Sequence, residues 1–184
     1  MKRELKILLM ISALFTLAAG LFGPIYAVFV TEIGGDLLDA GGAYAAFSIA
    51  TGALIFLIGR WEDHVKHMEK LIVIGYLLNV LGFVGYLLIR SPVDLFFVQI
   101  LFGISAAINT PAYDGLYSKL LDRGKYAYEW GMWESQYYIV GAVAAVAGGF
   151  LAEAYGFAFL FKVMLGISVV GFLFTLLLLK RGGQ

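Results

Sequence analysis

Six stretches of this chain are uncharged and mostly apolar for close to the length needed to cross a bilayer, and 184 residues leave little else. They run over residues 7–30, 40–59, 71–89, 95–113, 135–152 and 163–179. Each is near the ~20 residues that a helix needs to traverse the hydrocarbon. In lipid the backbone must satisfy its own hydrogen bonds, so segments of this kind are helices. With their flanks included, the predicted spans are about 7–30, 40–59, 71–89, 95–117, 128–152 and 157–179. Only 14% of the residues are charged, against about 25% in an ordinary soluble domain. The expected fold is an all-α membrane protein forming one six-span domain over residues 1–184. No connection is long enough to hold a soluble domain, so any function sits inside the bundle. The first stretch exceeds the roughly 7–15 apolar residues of a signal-peptide core and five more follow it, so it reads as a retained span.

Lysine and arginine set the orientation. If the spans alternate, Lys2, Arg3, Lys6, Arg60, Lys66, Lys70, Lys119, Arg123, Lys125, Lys180 and Arg181 all fall on one face. The other face has Arg90, with Lys162 near the start of the sixth span, and its first loop, TEIGGDLLDA, is purely acidic. Both termini are therefore expected in the cytoplasm of a multi-pass protein, in the cytoplasmic (plasma) membrane of a prokaryote.

Several function classes are excluded. The chain has no cysteine, which removes disulfides, thiolate nucleophiles and Cys-ligated metals. Its formal charge is zero, which argues against nucleic acid as a partner. Both histidines, His64 and His67, lie in the loop between spans two and three. That leaves no intramembrane histidine for a serine protease or for haem. A water channel would want paired Asn-Pro-Ala half-helices, and NTPA occurs once, with an inserted threonine. No enzyme activity, cofactor or metal is expected.

A Pro-x-Tyr recurs in FGPIYAVF of span one and NTPAYDGLY of span four, and Ala-Tyr recurs at residues 43–44 and 127–128, near the starts of spans two and five. Spans one to three and four to six then read as copies inserted in opposite directions, the inverted three-helix repeat of many secondary transporters. The loop GRWEDHVKHMEKL, the fourth span VQILFGISAAINTPAY and the fifth KYAYEWGMWESQYYIVGAVAAVAGGFLAEAYGF together resemble one six-helix half of a major facilitator superfamily transporter. The likeness covers the whole chain. Gly59 and Asp63 match the glycine and aspartate of that family's loop signature. At the fourth-span position of the family's arginine this chain has Gln99, and Ala144-Ala145 stand where antiporters carry Gly-Pro. The resemblance implies a half-sized transporter, read as a naturally half-sized member rather than an excised half. It also implies that helices one and four line a central cavity, two and five flank it and meet the other half, and three and six face lipid.

The candidate substrate-binding residues are Thr16, Tyr26, Asn109, Tyr113, Tyr137 and Tyr138. Asn109 and Tyr113 share one helix face at four-residue spacing, and aromatic rings with a few amides and hydroxyls suit a small, partly apolar organic solute. Packing between helices is the competing role for the tyrosines. Asp114 lies ~30 Å along the fourth helix from Asp94, near the far edge of the hydrocarbon. With Gly59, Arg60, Asp63 and Glu134 it forms a mixed-charge cluster, which the resemblance implies is a conformational latch. Side chains snorkelling to interfacial water, or a direct proton or substrate site, are the alternatives. Asn79 reads as a helix-to-helix hydrogen bond.

Six helices supply one wall of a central cavity, so a second half is needed. Two copies of the chain, sharing orientation, can provide it. Small residues at four-residue spacing, Gly42, Ala46 and Ala50 in span two with Gly141, Ala145 and Gly149 in span five, are the expected homodimer contact. Packing within one copy is the other use for that pattern. The expected function is alternating-access transport of a small organic solute by a homodimer in the lipid bilayer. The alternative is a non-transporting scaffold or subunit paired with another membrane protein.

Overall fold

Apolar side chains pointing in every direction leave a membrane helix without a polar face to guide its packing, so close contacts between small residues decide how these spans assemble. The computed structural model describes residues 2–62 and 64–179. The first span is α1 (Arg3–Gly20), a 3-10 turn (Gly23–Ile25) and α2 (Tyr26–Glu32). Spans two to six are α3 (Leu37–Glu62), α4 (Met68–Leu88), α5 (Pro92–Leu120), α6 (Tyr126–Tyr155) and α7 (Phe157–Leu179). Among the described residues, six helices, counting the first span as one, are long and apolar enough to cross a membrane. Asp63, of the expected latch, and Lys180 and Arg181 lie outside the described residues.

The break in span one has a local cause. Pro24 cannot donate a backbone hydrogen bond, and its ring would crowd the carbonyl four residues earlier, at Gly20. The helix ends there and restarts at Tyr26 after the 3-10 turn. Pro111 leaves α5 unbroken.

Two helix starts on the acidic face are capped alike. Asp36 Oδ1 accepts from the amides of Leu38 and Asp39, at 2.8 and 2.9 Å, while Asp39 Oδ2 accepts from the Asp36 amide at 3.0 Å. At α5, Ser91 and Asp94 form a reciprocal capping box. The aspartates of this face thus hold donors that a helix start leaves unpaired. Between α6 and α7 the chain reverses at Gly156, whose φ of +78° suits glycine alone.

Packing divides around two helices. α5 lies against α3 and α4, α1 lies against α6 and α7, α4 meets α7, and α1 and α5 touch little beyond the basic end. α3 and α6 are the least enclosed spans and stand on the flanks. One apolar cluster, with Phe22, Phe29, Tyr86, Phe157 and Phe161, fills the end nearer the acidic face. A second, with Leu5, Leu8, Ile11, Tyr113 and Tyr117, fills the basic end. Buried Thr16, Asn79, Ser105 and Ser168, each near the middle of its span, lie at the level between the two clusters.

Candidate functional site

The separation of α1 from α5 leaves a groove of about 430 Å³. Its walls come from α1 and the turn after it, α2, α3 and α5, and its floor from α4. Nine of the nineteen lining residues are aromatic and none is charged, so aryl faces and uncharged polar groups make the surface. A second groove of about 380 Å³ lies between α1 and α6. Phe15, Ala19 and Gly23 line both, making one edge of α1 the ridge between them.

Five of the six expected binding residues line these grooves. Tyr26 and Asn109 face the first, and Thr16, Tyr137 and Tyr138 face the second. Tyr137 and Tyr138 remain 54% and 70% exposed. Tyr113 departs from the expectation. It is buried, its hydroxyl donates to the Leu8 carbonyl at 2.9 Å, and its ring stacks on Trp133 at 5.8 Å. One turn separates it from Asn109, but α1 closes over it where the groove ends.

Close packing holds the polar groups of the first groove in place. Gly75 of α4 has no room for a side chain: a methyl there would sit 2.7 Å from Asn109 Cβ. α5 therefore seats directly on α4, and Ser105 Oγ donates to the Gly75 carbonyl at 2.7 Å. Gln99 donates to the Tyr86 hydroxyl at 3.3 Å. Asn79 accepts from Ser168 at 3.3 Å, the helix-to-helix bond expected of it. Among the described residues, two atoms shut off from solvent have no hydrogen-bond partner of good geometry, Tyr26 Oη and Asn109 Oδ1. Gln99 approaches the first and Tyr76 the second, but neither closes a bond of good geometry.

Sequence reasoning passed over Tyr44, Tyr76 and Tyr86, which share the first groove. It noted Gln99 only as a departure from the family arginine. Glu129 was missed too. It is 1% exposed and its Oε2 accepts from the Asp122 amide at 2.8 Å. An acid in the first turn of a helix is a legible N-terminal signal, and Glu129 sits four residues after Lys125. Tyr117 donates to the Glu129 carbonyl at 2.6 Å, Trp133 Nε1 to Ser12 Oγ at 2.8 Å, and Gln136 to the Leu9 carbonyl at 2.9 Å. These bonds lock α1, α5 and α6 together at the basic end.

Of the expected latch residues, Gly59, Arg60, Asp114 and Glu134 are described. Arg60 is exposed and lies over the Phe56 ring at 4.9 Å. Glu134 is exposed and Asp114 half-buried. Among the described residues no ion pair joins any of these three to another. Gly59 is half-buried with open space where a side chain would be.

The small residues divide by use. Gly42 faces Phe96 and Ala50 faces Gly103, both on α5 of the same chain. Gly141 and Ala144 face Gly20 of α1. Ala46, Ala145 and Gly149 are half-buried. What α3 and α6 turn outward is larger: Tyr44, Ile49, Phe56 and Trp61 on one, Tyr138, Val146 and Phe150 on the other.

The chain matches the Major Facilitator Superfamily over residues 8–183. It is similar to the uncharacterized MFS-type transporter YitZ of Bacillus subtilis (strain 168), with 30% identity over 170 residues. That alignment takes in 90% of this chain and 98% of the relative.

Proposed function

This chain belongs to the major facilitator superfamily, a family of membrane transporters and not of enzymes, and from that premise we propose that it moves a small, partly apolar organic solute by alternating access as a homodimer. The observation that carries the reading is the uncharged, ring-lined groove between two helices, α1 and α5, that touch little beyond the basic end. Such a groove is one wall of a solute path, and a second copy supplies the wall opposite.

Three further observations support it. Exchanging span one with four, two with five and three with six preserves the main helix contacts apart from the smaller one between spans five and six, as expected of two inverted three-helix repeats. The relative aligns over nearly its whole length with this six-span chain, which supports a half-sized unit. α3 and α6 flank the groove and are mostly exposed, so a twofold axis along the membrane normal sets α3 of one copy against α6 of the other. Gly42 and Ala50 are engaged within the chain. The proposed contact therefore runs over the outward faces of these helices, with Ala46, Ala145 and Gly149 at its margin.

Arg60, Asp63, Asp114 and Glu134, near Gly59, act as the latch, forming charge pairs between copies in one state and releasing them in the other. Purified protein in proteoliposomes, tested for uptake over a panel of small solutes and crosslinked in the same vesicles, is the direct test. Uptake that rises with the crosslinkable dimer is expected. A dimer that moves no member of the panel would favour the scaffold role, and uptake by a monomer would remove the homodimer.

A further inference from the structure

We propose that the groove between α1 and α5 takes a neutral, planar aromatic solute of one or two rings that carries an N–H or O–H donor, and that Asn109 Oδ1 receives that donor. The proposal rests on the transport reading in taking this groove as the solute's path.

Charge comes first. The lining holds no lysine, arginine, histidine, aspartate or glutamate. A carboxylate or phosphate entering it would lose hydration with no cation in return, and an ammonium would meet no anion. Ring faces offer a cation some attraction, but the groove lacks the carboxylate that would make a cation its preferred guest. Shape comes next. Tyr26, Tyr44, Tyr76, Tyr86, Phe47 and Phe102 present aromatic surface from four helices around about 430 Å³. A flat aromatic guest gains stacked and edge-on contacts there that a saturated one does not.

The hydrogen-bond ledger then names the guest's polar group. Gln99 is committed to Tyr86, Ser105 to the Gly75 carbonyl and Asn79 to Ser168. Among the described residues, Asn109 Oδ1 and Tyr26 Oη are the buried atoms left without a bond of good geometry, with Tyr76 and Gln99 beside them. Buried polar atoms are ordinarily paired, so an unpaired one on a residue that lines a cavity is where a ligand's polar group gains most by completing the bond. A side-chain amide oxygen only accepts, so the solute must donate. Tyr26 can donate or accept and serves as the second contact. Both atoms are closed off from solvent, so the guest's donor takes the place beside Asn109 that Tyr76 holds and its second contact the place beside Tyr26 that Gln99 holds. The Asn109 backbone stays seated on Gly75, and the Tyr26 ring stays edge-on against Phe22 at 5.5 Å.

The test uses the purified full chain in lipid nanodiscs, with equilibrium dialysis against empty nanodiscs to remove partitioning. The probes are indole, 1-methylindole (equivalent rings, no donor), indole-3-acetate (anion) and tryptamine (cation). Indole should bind saturably, about tenfold or more tighter than 1-methylindole, and tighter than either charged analogue. This comparison needs no variant, so a misfolded mutant cannot confuse it. Asn109→Leu should bring indole and 1-methylindole within about twofold of each other, and Tyr26→Phe should weaken indole without removing the preference. Equal binding of indole and 1-methylindole by the parent protein, a charged analogue binding tightest, or no saturable indole binding would overturn the proposal. Because binding is read without flux, selective binding in a protein that transports nothing would remove the transport reading and leave this one standing.

Discussion

Gly148 of α6 rests directly against the backbone carbonyl of Leu21, the residue that follows the end of α1, and no side chain fits between them. A methyl at Gly148 would overlap that carbonyl and lie 2.7 Å from Leu21 Cα. Backbone cannot swing aside as a flexible side chain does. Gly148→Ala should therefore cost about 3 kcal/mol or more. The neighbouring Gly149 has open space where its side chain would be, and Gly149→Ala should gain about 0.5–1 kcal/mol from the stiffer helix. Apparent Tm in detergent should rank Gly149→Ala at or above the parent and Gly148→Ala far below. Equal stability of the two variants would show that α6 does not seat on the break in span one.

Topology is open to a direct check, because the chain has no cysteine. Asp36 precedes α3 and Lys66 lies between α3 and α4. Single cysteines at these positions should react with an impermeant maleimide from opposite sides of the membrane, with Lys66→Cys labelled from the cytoplasm, as the distribution of basic residues requires. Labelling of both from one side would end the six-span assignment, and the reverse order would end the orientation.

Arg60 and Glu134 make the latch testable. Arg60 is 23 residues from Leu37 at the acidic-face start of α3, and Glu134 is 21 residues from Tyr155 at the same end of α6. At ~1.5 Å per residue those are depths of about 35 and 32 Å. A twofold axis along the membrane normal preserves depth, so α3 of one copy beside α6 of the other brings the two charges within an arginine's reach. Glu134→Arg should weaken self-association about tenfold or more by placing like charges together, and Arg60→Glu in the same chain should restore it. Crosslinking of vesicles at matched protein density measures this. Failure of the double reversal to rescue would break the pairing.

Tyr113 separates packing from binding. Its hydroxyl bonds the Leu8 carbonyl, away from both grooves. Tyr113→Phe should lower stability by about 1 kcal/mol and leave indole affinity within twofold of the parent. An affinity loss as large as that of Asn109→Leu would return Tyr113 to the binding site.

The six spans and the one-sided placement of lysine and arginine could be read from the chain alone, because each rests on local composition, and the family from the loop and span motifs that resemble it. A run of apolar residues must be helical in lipid wherever it lies, and lysine placement needs no tertiary contact. The direction in which each helix turns could not be read in this way. Leucine facing lipid and leucine facing protein look alike in sequence, so no polar stripe marks the buried side. Asn109 and Tyr113 share a helix face, yet one opens to a groove and the other is sealed under α1. The small residues expected between copies were partly spent within one copy, Gly42 on Phe96 and Ala50 on Gly103. Only the tertiary structure decided these outcomes, since they turn on contacts of a few ångströms between helices distant in sequence: Gly75 against Asn109, Gly103 against Ala50, and Gly148 against Leu21.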